Sequence, residues 1–173
     1  MSYQFHYLYY ATPFEAEAEL TAFHQAIAAF NECEAMPNGH LFAALVLVPA
    51  LTDKRPFQGA ISENIRMSRY YIQVIEDSWG PPQRDFERDW AFAKNCQADA
   101  SMPMQETILL FKTPLLPHKV DAAIVELKQA SLSCEGPHAS FDNVDQLQTI
   151  LRTLFSRWLR TLLAEANLEQ CPS

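Results

Sequence analysis

Apolar positions along this chain follow two alternating periods. Four runs read as strands because aromatic and β-branched residues crowd together in them: Phe5 to Ala11, His40 to Val48, Arg69 to Asp77 and Gln105 to Thr113. The second, HLFAALVLV, is nearly continuous, as expected of a strand covered on both faces. A short run, His138 to Phe141, is a candidate fifth strand. The stretches between them carry apolar residues at helical spacing. Phe14, Leu20, Phe23, Ile27 and Phe30 form one such stripe. Thr12 and Pro13 offer it an N-cap and a proline at the first helical position, and Glu15, Glu17 and Glu19 suit its positive end. Further helices are expected over Phe57 to Ser68, about Arg84 to Ala100, and His118 to Ser131. The last helix is capped by Asp142 or Asn143 and carries Val144, Leu147, Leu151, Leu154, Trp158 and Leu162. Ile150, Phe155 and Leu159 widen its apolar side, which fits a helix covering a broad sheet better than a dimer contact.

Five strand–helix units without a hairpin signal predict an α/β fold. The expected architecture has three layers: a five-stranded, mostly parallel, flavodoxin-like sheet in the order 2-1-3-4-5, with helices on both faces. The 173 residues fit a single domain spanning 1–173. No G-x-G-x-x-G follows the first strand and no P-loop motif occurs, so a dinucleotide dehydrogenase or an NTPase is not indicated.

Composition narrows the function classes. A net charge of −8 repels phosphate backbones, so neither nucleic acid nor membrane is an expected partner. The run Leu41 to Leu51 is too short to span a bilayer and contains Pro49, and the N-terminus lacks the pattern of a signal peptide. Cys33, Cys96, Cys134 and Cys171 lie far apart, with no histidine at ligand spacing. Free thiols in a cytoplasmic protein are expected, with no metal and no cofactor.

In the 2-1-3-4-5 order, ligands bind outside the carboxyl ends of the strands. The residues gathered there are Tyr9, Tyr10, Thr12 and Phe14 after the first strand, Asp77, Ser78 and Trp79 after the third, and Lys112 and Thr113 after the fourth. Glu87 enters the next helix. Aromatic walls with few polar groups suit a flat, nucleotide-like ligand. Simpler roles stand beside each: Asp85 and Glu87 as helix-start charges, Trp79 as a cap on the sheet end, Thr12 as an N-cap. Tyr9 and Tyr10 must point to opposite faces. Arg84, Arg88 and Asp89 read as a solvated helix face.

Three stretches, YYATPFEAEAEL, KRPFQGAISENIRMSRYYIQVIEDSWG and RDFERDWAFA, resemble Toll/interleukin-1 receptor-like (TIR-like) domains. They are most similar to an uncharacterised TIR-like domain found in front of bacterial signalling NTPases. The likeness covers roughly residues 5 to 113 and places Glu87 at the family's glutamate. It implies a signalling module that works by self-association or by binding a protein partner. In some relatives it implies cleavage of nicotinamide from NAD, and the related nucleoside deoxyribosyltransferases break a similar bond. On that second reading Glu87 is the catalytic carboxylate, steadying the oxocarbenium character of the ribose or attacking it. Tyr10, Thr12, Phe14, Ser78, Trp79 and Arg84 would then hold the ligand. The chain departs from the pattern just before Glu87, where Pro82-Gln83-Arg84-Asp85 stands in place of the usual serine or threonine. Arg84 and Arg88 are both placed to pair with Glu87, which would reduce its nucleophilicity.

Overall fold

A computed structural model of the chain describes residues 2–12, 16–45, 57–80, 84–133 and 138–169. Phe14, Pro82 and Gln83 lie outside the described residues, as does the second strand beyond residue 45. Five parallel strands, β1 (Gln4–Ala11), β2 (His40–Leu45), β3 (Tyr70–Ile75), β4 (Glu106–Lys112) and β5 (His138–Phe141), form one sheet in the order β2-β1-β3-β4-β5. Register is set by pairs such as Leu8 with Tyr70, Ile75 with Phe111 and Leu109 with His138. The expected flavodoxin-like order and parallel sheet are therefore present.

Every residue of β3 is buried, the mark of a central strand covered on both faces. The helices α1 (Glu17–Phe30), α2 (Phe57–Met67), α3 (Phe86–Ala98), α4 (Ala122–Ser133) and α5 (Val144–Glu169) supply that cover. Alternation along the strands assigns each helix to a face. Leu8, Tyr10, Tyr70, Ile72 and Leu110 share a core with α1 and α5. Tyr9, Ala11 and Tyr71 face α2 and α3, and Ile75, Leu109 and Phe111 face α4. The wide apolar side of α5 is used for packing: Leu147, Leu151, Phe155, Trp158, Leu159 and Leu162 are all buried. Aromatic pairs fill the α1/α5 layer, with Tyr10 stacked on Phe23 and Tyr70 on Trp158, each at 4.0 Å between ring centroids.

The ends of the helices follow local chemistry with one correction. Asp85 caps α3 by accepting the Arg88 amide at 3.0 Å, and Asn143 caps α5 by accepting the Gln146 amide at 3.0 Å. Thr12 does not cap α1. That helix begins at Glu17, after Ala16, and has no side-chain cap. At its far end α1 runs into a single π-helical turn, Asn31–Ala35, where the Asn31 side chain bonds both the N–H and the carbonyl of Phe42. This replaces a sequence-local stop with a tertiary one, since it pins the end of α1 to β2. Gly39 then takes a left-handed φ of 79°, which turns the chain into β2. Among the described residues no helix is long and apolar enough to cross a membrane.

Candidate functional site

At the carboxyl edge β1 and β3 lie side by side while their connections leave on opposite faces, so the crevice of this fold opens between them. Two charged clusters line it, one on each side of the sheet.

On the α3 side Arg84 turns inward. Its guanidinium donates to the Tyr9 hydroxyl at 2.9 Å and to Asp89 Oδ2 at 3.1 Å, and it lies over the Phe86 ring at 4.7 Å. Gln58 donates to the other oxygen of Asp89 at 3.0 Å. Asp89 is 1% exposed, so both its oxygens are satisfied away from water. Burial alone would lower the pKa of Arg84, but Tyr9 and Asp89 raise it overall and hold the cation charged. Burial pushes the Tyr9 phenol up, against the opposing pull of Arg84, so the phenol stays protonated and serves as an acceptor. Behind it Tyr71 stacks on Tyr9 at 5.6 Å and donates to Gln73 at 2.7 Å. The reading of Arg84 and Asp89 as a solvated helix face is thus corrected. A buried carboxylate needs a partner, and Arg84 reaches Asp89 rather than Glu87.

On the α1 side Lys112 bridges two carboxylates, Glu19 Oε1 at 2.9 Å and Glu76 Oε2 at 3.2 Å. Glu19, read from the sequence as a dipole charge, is buried beneath the edge. Burial acts to lower the pKa of Lys112, and the hydrogen bonds it donates to both glutamates, with their charges, more than offset it. Tyr10 donates to the Glu19 carbonyl at 3.5 Å, and burial drives its phenol far above the usual range. Thr12 Oγ1 is enclosed and finds no hydrogen-bond partner among the described residues. The Thr113 hydroxyl donates to Asp142, tying the end of β4 to the start of α5.

The residues expected to form one ligand wall are therefore divided by the sheet. Tyr10 is a filled core position under α1, while Arg84 and Trp79 belong to the α2/α3/α4 face. Ser78 donates to Asp77 at 3.2 Å and accepts the Gly80 amide at 3.3 Å, closing a local turn. Trp79 is half-buried and touches both apolar clusters of its face, as a cap on the sheet end would. Glu87 is exposed in the first turn of α3. Arg88 is exposed as well. The Glu19–Lys112–Glu76 cluster was not read from the sequence. One signal for it exists: Ile75 pairs with Phe111, so the next residues, Glu76 and Lys112, fall level on adjacent strands.

A groove of about 270 Å³ lies on the outer side of this edge, between the end of β4 and α4. Phe111, Pro114, Val120 and Ile124 line it with Val125 and Leu132 of α4. The Lys128 ammonium sits over the Phe111 ring at 5.7 Å. Among the described residues no three metal-ligating side chains gather in one place.

No protein-family model matches this chain, and no curated protein matches it in sequence. Among solved structures it is similar to general stress protein 14 of Treponema denticola, solved in complex with FMN. The identity is 12% and the TM-score 0.46, over 92% of this chain and 99% of that one. It is also similar to the Flv1 flavodiiron core of Synechocystis, with 15% identity and a TM-score of 0.46, over 91% of this chain and 36% of that one. The present chain thus spans little more than a third of the Flv1 core.

Proposed function

We propose that this chain is a TIR-like signalling module that works by binding another protein surface, self-association included, rather than by turnover. One contrast supports the reading. The buried charges of the carboxyl edge are committed to one another, Arg84 to Asp89 and Lys112 to Glu19 and Glu76. The β4–α4 side, by contrast, leaves large apolar groups in water: Leu115 is 88% exposed, Leu116 47%, Val125 42% and Leu132 63%. Apolar groups clustered beside a groove mark an interaction surface more often than a catalytic one. A cytoplasmic setting goes with this reading, and Cys33 and Cys96 are free. Sedimentation velocity from micromolar to submillimolar concentration, together with affinity capture from a host extract, tests it. A chain that stays monomeric and retains no partner refutes it.

A second reading keeps the edge as a nucleotide-binding site with Glu87 as the reacting carboxylate. The observation in its favour is that Glu87 is exposed at the first turn of α3 and is not consumed by Arg84. Cleavage of an N-glycosidic bond would place that carboxylate against the ribose as positive charge develops there. Incubation with NAD and a nucleoside panel, followed by NMR beside Glu87→Gln, decides it. Release of nicotinamide or free base that Glu87→Gln abolishes supports this reading, and unchanged substrates refute it.

A further inference from the structure

The exposed side of α4 has a pattern that its own fold does not use. Ala122, Val125, Gln129 and Leu132 are all exposed and follow one another at intervals of three, four and three residues. That spacing keeps them on a single stripe, the seam geometry of paired helices. The opposite side of α4 meets the sheet through Ile124 and Leu127. The loop that precedes the helix adds two more exposed leucines, Leu115 and Leu116.

Charge says what kind of surface can cover this stripe. The chain as a whole carries −8, so two copies repel one another over most of their surface. Residues 114 to 133 are an exception. They contain Lys119 and Lys128 against Asp121 and Glu126, a balanced segment within an acidic chain. A contact between two copies centred there meets less of that repulsion than one centred on an acidic segment.

Resting on the interaction-module reading above, we propose that α4 is a self-docking surface, on which two copies of this chain pair their α4 helices antiparallel about a two-fold axis. With the axis close to residues 123 and 124, Val125 of one copy meets Ala122 of the other. Leu132 then reaches the Leu115–Leu116 loop of the second copy, and Lys128 lies within a turn of its Asp121. Two-fold symmetry makes each of these contacts twice. One short helix and one loop make a small interface, so the dimer is weak and forms in the micromolar range or above.

The experiment is sedimentation equilibrium on the full chain and on surface variants, with circular dichroism confirming that each remains folded. Leu132→Glu changes a side chain that is 63% exposed, so the fold survives and the dimer is lost. Lys128→Glu alone and Asp121→Lys alone each place like charges opposite one another and remain monomeric. An equimolar mixture of the two restores both pairs and recovers the dimer at least tenfold more strongly than either variant alone. A dimer indifferent to Leu132→Glu, or no recovery on mixing, overturns the α4 contact while leaving the interaction-module reading in place. A wild-type chain that is monomeric at every concentration also overturns it, and partner capture then judges the broader reading by itself.

Discussion

At the amino-terminal edge of the sheet two imidazoles meet away from solvent. His6 Nε2 and His40 Nδ1 are 2.8 Å apart, and the residues are 2% and 6% exposed. One ring must donate and the other accept, so the contact fails when both are protonated. The His6 pKa is lowered to about 4, first by burial, then by Arg69 and His40; His40 is lowered by burial and by Arg69. The unfolded chain takes up protons near pH 6.5, before the native state does, so acidification favours unfolding. The effect of His6 begins as pH falls through about 6.5 and is complete below about 4. It amounts to roughly 2 kcal/mol at about pH 5 and roughly 3 kcal/mol at the acid limit. Urea unfolding followed by tryptophan fluorescence at about pH 7 and about pH 5 measures it, since few carboxylates titrate in that interval. The wild type should lose about 2 kcal/mol or more between the two, because His40 adds in the same direction. His6→Leu/His40→Leu should lose far less across the same interval. An equal loss in both proteins would show that the pair is not the source and would refute the reasoning.

Three further outcomes follow from buried charges and one turn. Asp89→Ala leaves the Arg84 guanidinium, 14% exposed, without its carboxylate and should cost about 3 kcal/mol in chemical denaturation. Adding Arg84→Met should return part of that loss. Lys112→Met strands Glu19 beneath the edge and should also cost about 3 kcal/mol near neutral pH. Because a stranded buried carboxylate titrates high, this deficit should shrink as pH falls toward about 4, and a deficit independent of pH would argue against it. At Gly39 an added Cβ meets no atom within 4 Å, so Gly39→Ala pays only for the left-handed φ. About 1 kcal/mol is expected, read as a lower melting temperature, and Gly39→Asn should cost less.

Much of the fold was legible because strands buried on both faces need nearly continuous apolar runs. RYYIQVIED and QETILLFKT could be little else, and even the four residues of β5 were readable as HASF. The start of α1 was not. Thr12-Pro13 carries the local signature of a helix start, yet the helix begins four residues after Pro13. The candidate site was harder to read because its decisive contacts join distant residues. Arg84 meets Tyr9, and Lys112 meets Glu19, although each pair lies far apart in the sequence. Local patterning gave Asp89 and Arg84 the appearance of surface charge, and only the tertiary contacts with Tyr9 and Gln58 show them as an enclosed pair. Glu87 kept the exposed position at the start of α3 that its place in the sequence implied.

The all-parallel order also governs how the chain can fold. β1 lies between β2 and β3, but Leu8 cannot meet Tyr70 until the intervening helices have been made and gathered. With no hairpin among the described residues to form early, β1 has to wait for partners further along the chain. Contacts of such long sequence separation slow the search for the native state. While it waits, the aromatic run Phe5 to Tyr10 is exposed to unwanted association, so dilute refolding conditions should raise the yield of native protein.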